Sequence, residues 1–161
     1  MTARQTRWML TVLGVTAAWT GPWALLAPRQ FYNSFPGAGR HWIVMDGAYN
    51  EHLIRDVGAM YLALLVLSAG AAIRADPGTT RLAGASWVAF GLPHLVYHSA
   101  HLSMYGSLDR ALNLLALGAS VALGALLCLP ARGRAPGSRA LHDSTGISVQ
   151  ATQQDERGGT E

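Results

Sequence analysis

Residues 8–27, WMLTVLGVTAAWTGPWALLA, run for 20 positions without a charged side chain. A helix needs about 20 residues to cross a hydrocarbon core of ~30 Å. Three further stretches behave the same way: Val57–Ile73, Leu82–His101 (interrupted only by histidines) and Ala111–Leu129. A soluble bundle would carry charge on its outer face every turn or so, and these segments do not. The chain as a whole is 50% hydrophobic and 13% charged, against about 25% charged for an ordinary soluble domain. The expected fold is therefore all-α, a four-transmembrane-helix bundle in a single domain.

The boundaries follow from the same pattern. Residues 1–7 form a short N-terminal segment, and residues 8–130 the membrane domain, with helices at about 8–28, 50–73, 81–102 and 108–129. Residues 131–161 change abruptly to a polar, Gly/Ser/Thr/Gln-rich composition without amphipathic period, which reads as a disordered tail. Arg4 and Arg7 before the first run resemble the start of a signal peptide. The run is longer than a usual signal core and ends in LLAPRQF without a small-x-small cleavage site, so it is read as a retained first helix.

Charge distribution gives an orientation. Arg4 and Arg7, then Arg74 and Arg81, then Arg132, Arg134 and Arg139 fall on one side if four helices alternate. The positive-inside rule makes that side cytoplasmic, both termini included, in a multi-pass protein of the cell membrane. All 12 basic residues are arginine, a usage that fits GC-rich coding. They flank helices rather than forming a patch, so the net charge of +3 and the pI near 9.5 do not point to nucleic acid. The bilayer is the expected partner, with a homo-oligomer or another membrane protein as a further candidate. The one cysteine, Cys128, cannot form an intrachain disulfide and reads as a small helical hydrophobe.

The loops differ in kind. RADPGTTR (74–81) has Asp-Pro-Gly turn chemistry and should close a tight antiparallel hairpin. The segment from about Arg29 to Tyr49 is long and aromatic, with Phe31, Tyr32, Phe35 and Trp42, and is expected to fold as an outer cap near the interface, where Trp and Tyr are favoured.

In PHLVYHSAH (93–101), His94, His98 and His101 lie at i, i+4 and i+7, on one helical face. Ionisable groups at membrane depth tend to mark functional sites. The topology brings that face to the same depth as NEHLIRD (50–56), where Glu51 and Arg55, and His52 and Asp56, are i,i+4 pairs and Asn50 is a plausible N-cap. His94, His98, His101, His52 and Asp56 are thus candidate ligands, an imidazole and carboxylate set suited to zinc, copper or iron. Supporting roles fall to Asn50, Glu51, Arg55, Asp109 (the expected cap of the last helix) and the buried Asn113. Pro93 should kink its helix beside this face. No catalytic residue is assignable. No phosphate-cradling glycine loop, CxxC or Ser-His-Asp elbow is present.

The FYNSFPGAGRHW loop (31–42), YNEHLIRDVGA (49–59) and PHLVYHSAH together resemble small four-helix membrane proteins of actinobacteria, and more loosely the DoxX-like group, over about residues 7–130. The resemblance implies the fold. Through the DoxX-like group it adds an association with redox accessory roles, but no residue role. Three functions follow as expectations: a metal-binding or redox-accessory membrane protein, a non-catalytic scaffold or accessory subunit, and a small transporter or proton pathway.

Overall fold

The computed structural model describes residues 1–130, and the expected tail at 131–161 lies outside them. Four long helices account for most of it: α1 (Ala3–Leu26), α4 (Glu51–Arg74), α5 (Pro77–Ala100) and α6 (Ser107–Cys128). Two short helices, α2 (Pro28–Ser34) and α3 (Trp42–Met45), fill the first connection, and a 3-10 turn at Leu102–Met104 lies in the last. Helices α1, α4 and α6 are each long and apolar enough to cross a membrane. Helix α5 is as long, at 24 residues, but its two prolines, its hydroxyl residues and its histidines make it more polar.

Local signals explain the helix ends. Thr2 and Gln5 form a reciprocal capping box, so α1 starts earlier than the charge pattern suggested. The α4–α5 connection is only two residues long. Ala75 closes α4 in the left-handed region (φ 54°), and Asp76 caps α5 by accepting from the Thr79 N–H at 2.8 Å. Pro77 then occupies the first helical turn, where its missing N–H does no harm. Helix α5 therefore begins four residues before the expected position 81. Pro93 lies inside it without ending it.

Helix α1 packs along α4 and α5 along α6, while α5 also lies against α4. Each close pair crosses where glycines meet. A Cβ built on Gly58 would sit 2.6 Å from the Leu25 nitrogen and 2.9 Å from the Gly21 oxygen; one on Gly84 would sit 2.6 Å from the Gly124 oxygen. Small residues of this kind let membrane helices approach backbone to backbone.

Between the pairs lies one core drawn from all four long helices, including Leu10, Leu13, Tyr61, Leu64, Trp87 and Leu127. Trp87 stands edge-on to Tyr61, and its indole N–H donates to the Ser68 hydroxyl at 2.9 Å, a buried polar tie between α4 and α5. The bundle thus has two distinct ends. The turn end holds the start of α1, the α4–α5 turn and the end of α6; the loop end holds α2, α3 and the α5–α6 connection.

Candidate functional site

The loop end is built outward from an aromatic series. Trp23, Phe31, Phe35 and Trp42 succeed one another with ring centroids 5.6, 4.6 and 6.1 Å apart. Phe31 and Ala24 bury Ile54, which fastens α2 to the start of α4. This seats Trp42 so that its indole N–H donates to Asp109 Oδ1 at 2.8 Å, while Arg40 pairs with the same carboxylate. Asp109 is therefore not the cap of α6, as its position suggested. The N-cap residue is Gly106, and Asp109 in the first turn binds a segment almost 70 residues earlier in the chain.

A second tie runs beside the first. The Tyr105 hydroxyl donates to Asp46 Oδ1 at 2.8 Å, and Tyr105 is 4% exposed. Burial, with the Asp46 carboxylate beside it, pushes the Tyr105 phenol well above its ordinary value. Arg110 closes the last connection by donating to the Tyr105 carbonyl at 2.7 Å. An open cleft of about 420 Å³ lies over this network, lined by Arg40, Trp42, Met45, Tyr105 and Asp109 among others. Asp46, Tyr105 and Arg40 were not among the candidate site residues read from the sequence, and Trp42 was named there only as an aromatic of the outer cap. Contacts between partners 59 to 69 residues apart leave no periodic trace. Their one available signal is the clustering of aromatics with Asp and Arg in a long loop.

Of the three histidines, His94 and His98 stay in contact, whereas His101 is the residue that caps the end of α5. His98 is buried. Its ring meets that of His94 edge-on at 4.7 Å, and His94 in turn stacks on Phe90. His101 ends the helix, stacks on Tyr97 and turns its Nδ1 to the Tyr97 carbonyl, exposed. The 3.6-residue period holds up to His98 and is lost at the helix end.

The NEHLIRD group behaves as a self-contained helix start. Asn50 caps α4 by accepting from the Leu53 N–H at 3.1 Å. Glu51 pairs with Arg55 at 2.9 Å, and Arg55 also donates to the Leu25 carbonyl at the end of α1. His52 and Asp56 sit 3.4 Å apart with side chains 87% and 61% exposed, satisfying one another on an outward face. The five candidate ligands therefore do not assemble. Among the described residues no group of three or more His, Cys, Asp or Glu is placed to hold a metal ion.

One feature near the histidines lacks a partner. His98 Nδ1 and Asn113 Oδ1 are both buried and have no hydrogen-bond partner among the described residues. Gly84 meets Gly124 and Gly91 meets Val121 across the α5–α6 seam. Continuing that antiparallel register brings His98 and Asn113 to the same level.

Comparison with family models, with curated proteins and with solved structures finds no match, so the functional argument rests on this chain's own geometry.

Proposed function

We propose that the chain is a four-helix integral membrane protein whose loop end is a preformed platform, and that it acts as a non-catalytic scaffold or accessory subunit. Helices α1, α4 and α6 fit an integral membrane protein by length and apolarity. Taking α5 as the fourth span follows from its matching length and its place between α4 and α6. Arg4, Arg7, Arg74 and Arg81 gather at the turn end, which by the positive-inside rule faces the cytoplasm.

The observation that carries the scaffold reading is the double engagement of Asp109 by Arg40 and Trp42. Both donors come from the first connection, so this carboxylate holds α3 and the preceding loop on the first turn of α6 and fixes the shape of the loop end. Two measurements test the proposal. With Cys128 replaced by Ser, single cysteines at Ala75 and Ser103 should label from opposite faces of sealed vesicles, and labelling from one face would refute a spanning α5. Metal analysis of the purified protein should give the same low content in wild type and in a His94→Ala/His98→Ala variant of equal helicity. Stoichiometric zinc, copper or iron, lost in the variant, would replace the scaffold reading with a metal centre.

A second reading is favoured by the unpartnered His98 and Asn113. Buried polar atoms are nearly always paired, so a ligand or a proton passing His94 and His98 would give this pair a role.

A further inference from the structure

We propose that the turn end carries a binding site for one anionic phospholipid, with its headgroup on Arg7 and Arg81 and its acyl chains between α1 and α6. At that end a pocket of about 190 Å³ opens at the centre of the four long helices, lined by Thr6 and Arg7 of α1, Asp76, Thr80 and Arg81 of the α5 start, and Leu127 of α6 among others. Its volume is on the scale of a headgroup rather than of a whole lipid. Arg7 and Arg81 approach it from different helices, and neither has an acidic partner among the described residues. The one carboxylate in the lining, Asp76, is engaged by the Thr79 N–H. Two guanidiniums against that one carboxylate leave the lining with a net positive charge, and they offer fork-shaped donors suited to a phosphate.

A second, larger space adjoins it. A groove of about 670 Å³ runs between α1 and α6, lined by Arg4, Trp8, Met9, Leu123 and Leu126 among others, and shares Met1 with the headgroup pocket. Helices α1 and α6 touch little, so the ring of four helices is least closed along this line. Trp8, 63% exposed one turn in from Arg4, sits where an indole marks the headgroup boundary. Arginines above an apolar slot at this depth match an anionic lipid part by part. A zwitterionic lipid would bring its own cation to the guanidiniums, and a free phosphate would leave the slot unused.

The inference rests on the bilayer placement above, whose failure the vesicle-labelling experiment detects separately. It is tested by native mass spectrometry of the detergent-purified full chain with equal amounts of phosphatidylglycerol and phosphatidylcholine. One phosphatidylglycerol should be retained preferentially. A basic side chain near an anionic surface is worth about a fivefold affinity, so Arg7→Gln/Arg81→Gln should weaken that preference roughly thirtyfold. Leu123→Trp, which fills the groove and leaves the arginines in place, should also weaken it. Equal retention of the two lipids by wild type, or an undiminished preference in the arginine variant, would overturn the proposal. So would full displacement by millimolar inorganic phosphate, which would make this a site for a free anion. If the arginine variant loses helicity by circular dichroism, the wild-type comparison and Leu123→Trp still decide the matter.

Discussion

The α1–α4 and α5–α6 pairs use the same device at opposite ends of the bundle. Glycines bring α1 and α4 together at Gly21 and Gly58, near the loop end, whereas α5 and α6 meet through Gly84 and Gly124, near the turn end. Where α1 and α4 have their glycines, the α5–α6 seam has His98 and Asn113. One pair is thus sealed by backbone contact at the level where the other holds buried polar side chains. Glycine contact leaves no room for chemistry, and a buried imidazole and amide leave polar atoms to be satisfied. The difference locates the functional question on α5 and α6 rather than on the NEHLIRD segment.

The largest expected effect comes from the crossings themselves. Gly84→Ala should destabilise the bundle by about 1–3 kcal/mol, because a new Cβ would meet backbone that cannot move aside. Gly58→Ala should do the same to the other pair. Gly118→Ala, where a Cβ meets nothing within 4 Å, should be neutral or stabilising by about 0.5–1 kcal/mol. Urea unfolding in mild detergent, followed by circular dichroism, ranks the three, and equal behaviour would dissolve the distinction between packed and open glycines.

Next in size is the tie between loop and bundle. Asp109→Ala strands the Trp42 indole N–H and the Arg40 guanidinium together. Proteolysis within residues 27–50 should then quicken on the order of tenfold, the scale set by stranding one buried donor, while the α1–α4 crossing holds. Unchanged cleavage would show that the aromatic series alone keeps the segment in place.

Asn113→Leu sharpens the comparison from the other side. Removing a buried oxygen that has no partner should leave stability unchanged or raise it by about 1 kcal/mol. A loss of more than about 1 kcal/mol in the same urea titration would mean that the oxygen is satisfied in the membrane.

The smallest effects are those of pH, and they too divide by end. At the turn end, hydrogen bonds from Thr79 hold the Asp76 carboxyl below its ordinary value. The cap's contribution is therefore present at neutral pH and lost as pH falls through that lowered value. At the loop end the Tyr105 phenol is raised. Its contribution is complete below about pH 10, the ordinary tyrosine value, and fades as pH rises beyond. Melting curves of Asp76→Asn should lose the acid-side slope and those of Tyr105→Phe the alkaline one.

Much of the architecture was legible because bilayer thickness and the cost of charge act on every residue of a span. The runs beginning at Trp8, Val57 and Ala111 correspond to α1, α4 and α6. The i,i+4 pairs Glu51–Arg55 and His52–Asp56, and the Asn50 cap, were legible for the same reason: their partners are fixed by helical pitch. Pairings across sequence were not. Asp109 looked like a cap because caps are local, and Asp46 and Tyr105 gave no sign of one another. The reading of five converging ligands placed the histidines and the NEHLIRD group at the same depth, but depth does not fix direction. His52 and Asp56 point outward while His98 is buried.

Four of the five tryptophans fall into two optical populations, with the half-buried Trp23 between them. Trp8 and Trp19 are 63% and 60% exposed on the outer surface of α1, while Trp42 and Trp87 are 8% and 1% exposed. Lipids brominated on their acyl chains quench only indoles they can touch. In such bilayers Trp8 and Trp19 should darken, leaving a residual emission from Trp87, hydrogen-bonded to Ser68 in the core, and from Trp42 on Asp109. The bundle and its loop end thus each carry a built-in fluorophore that reports on whether that region is intact.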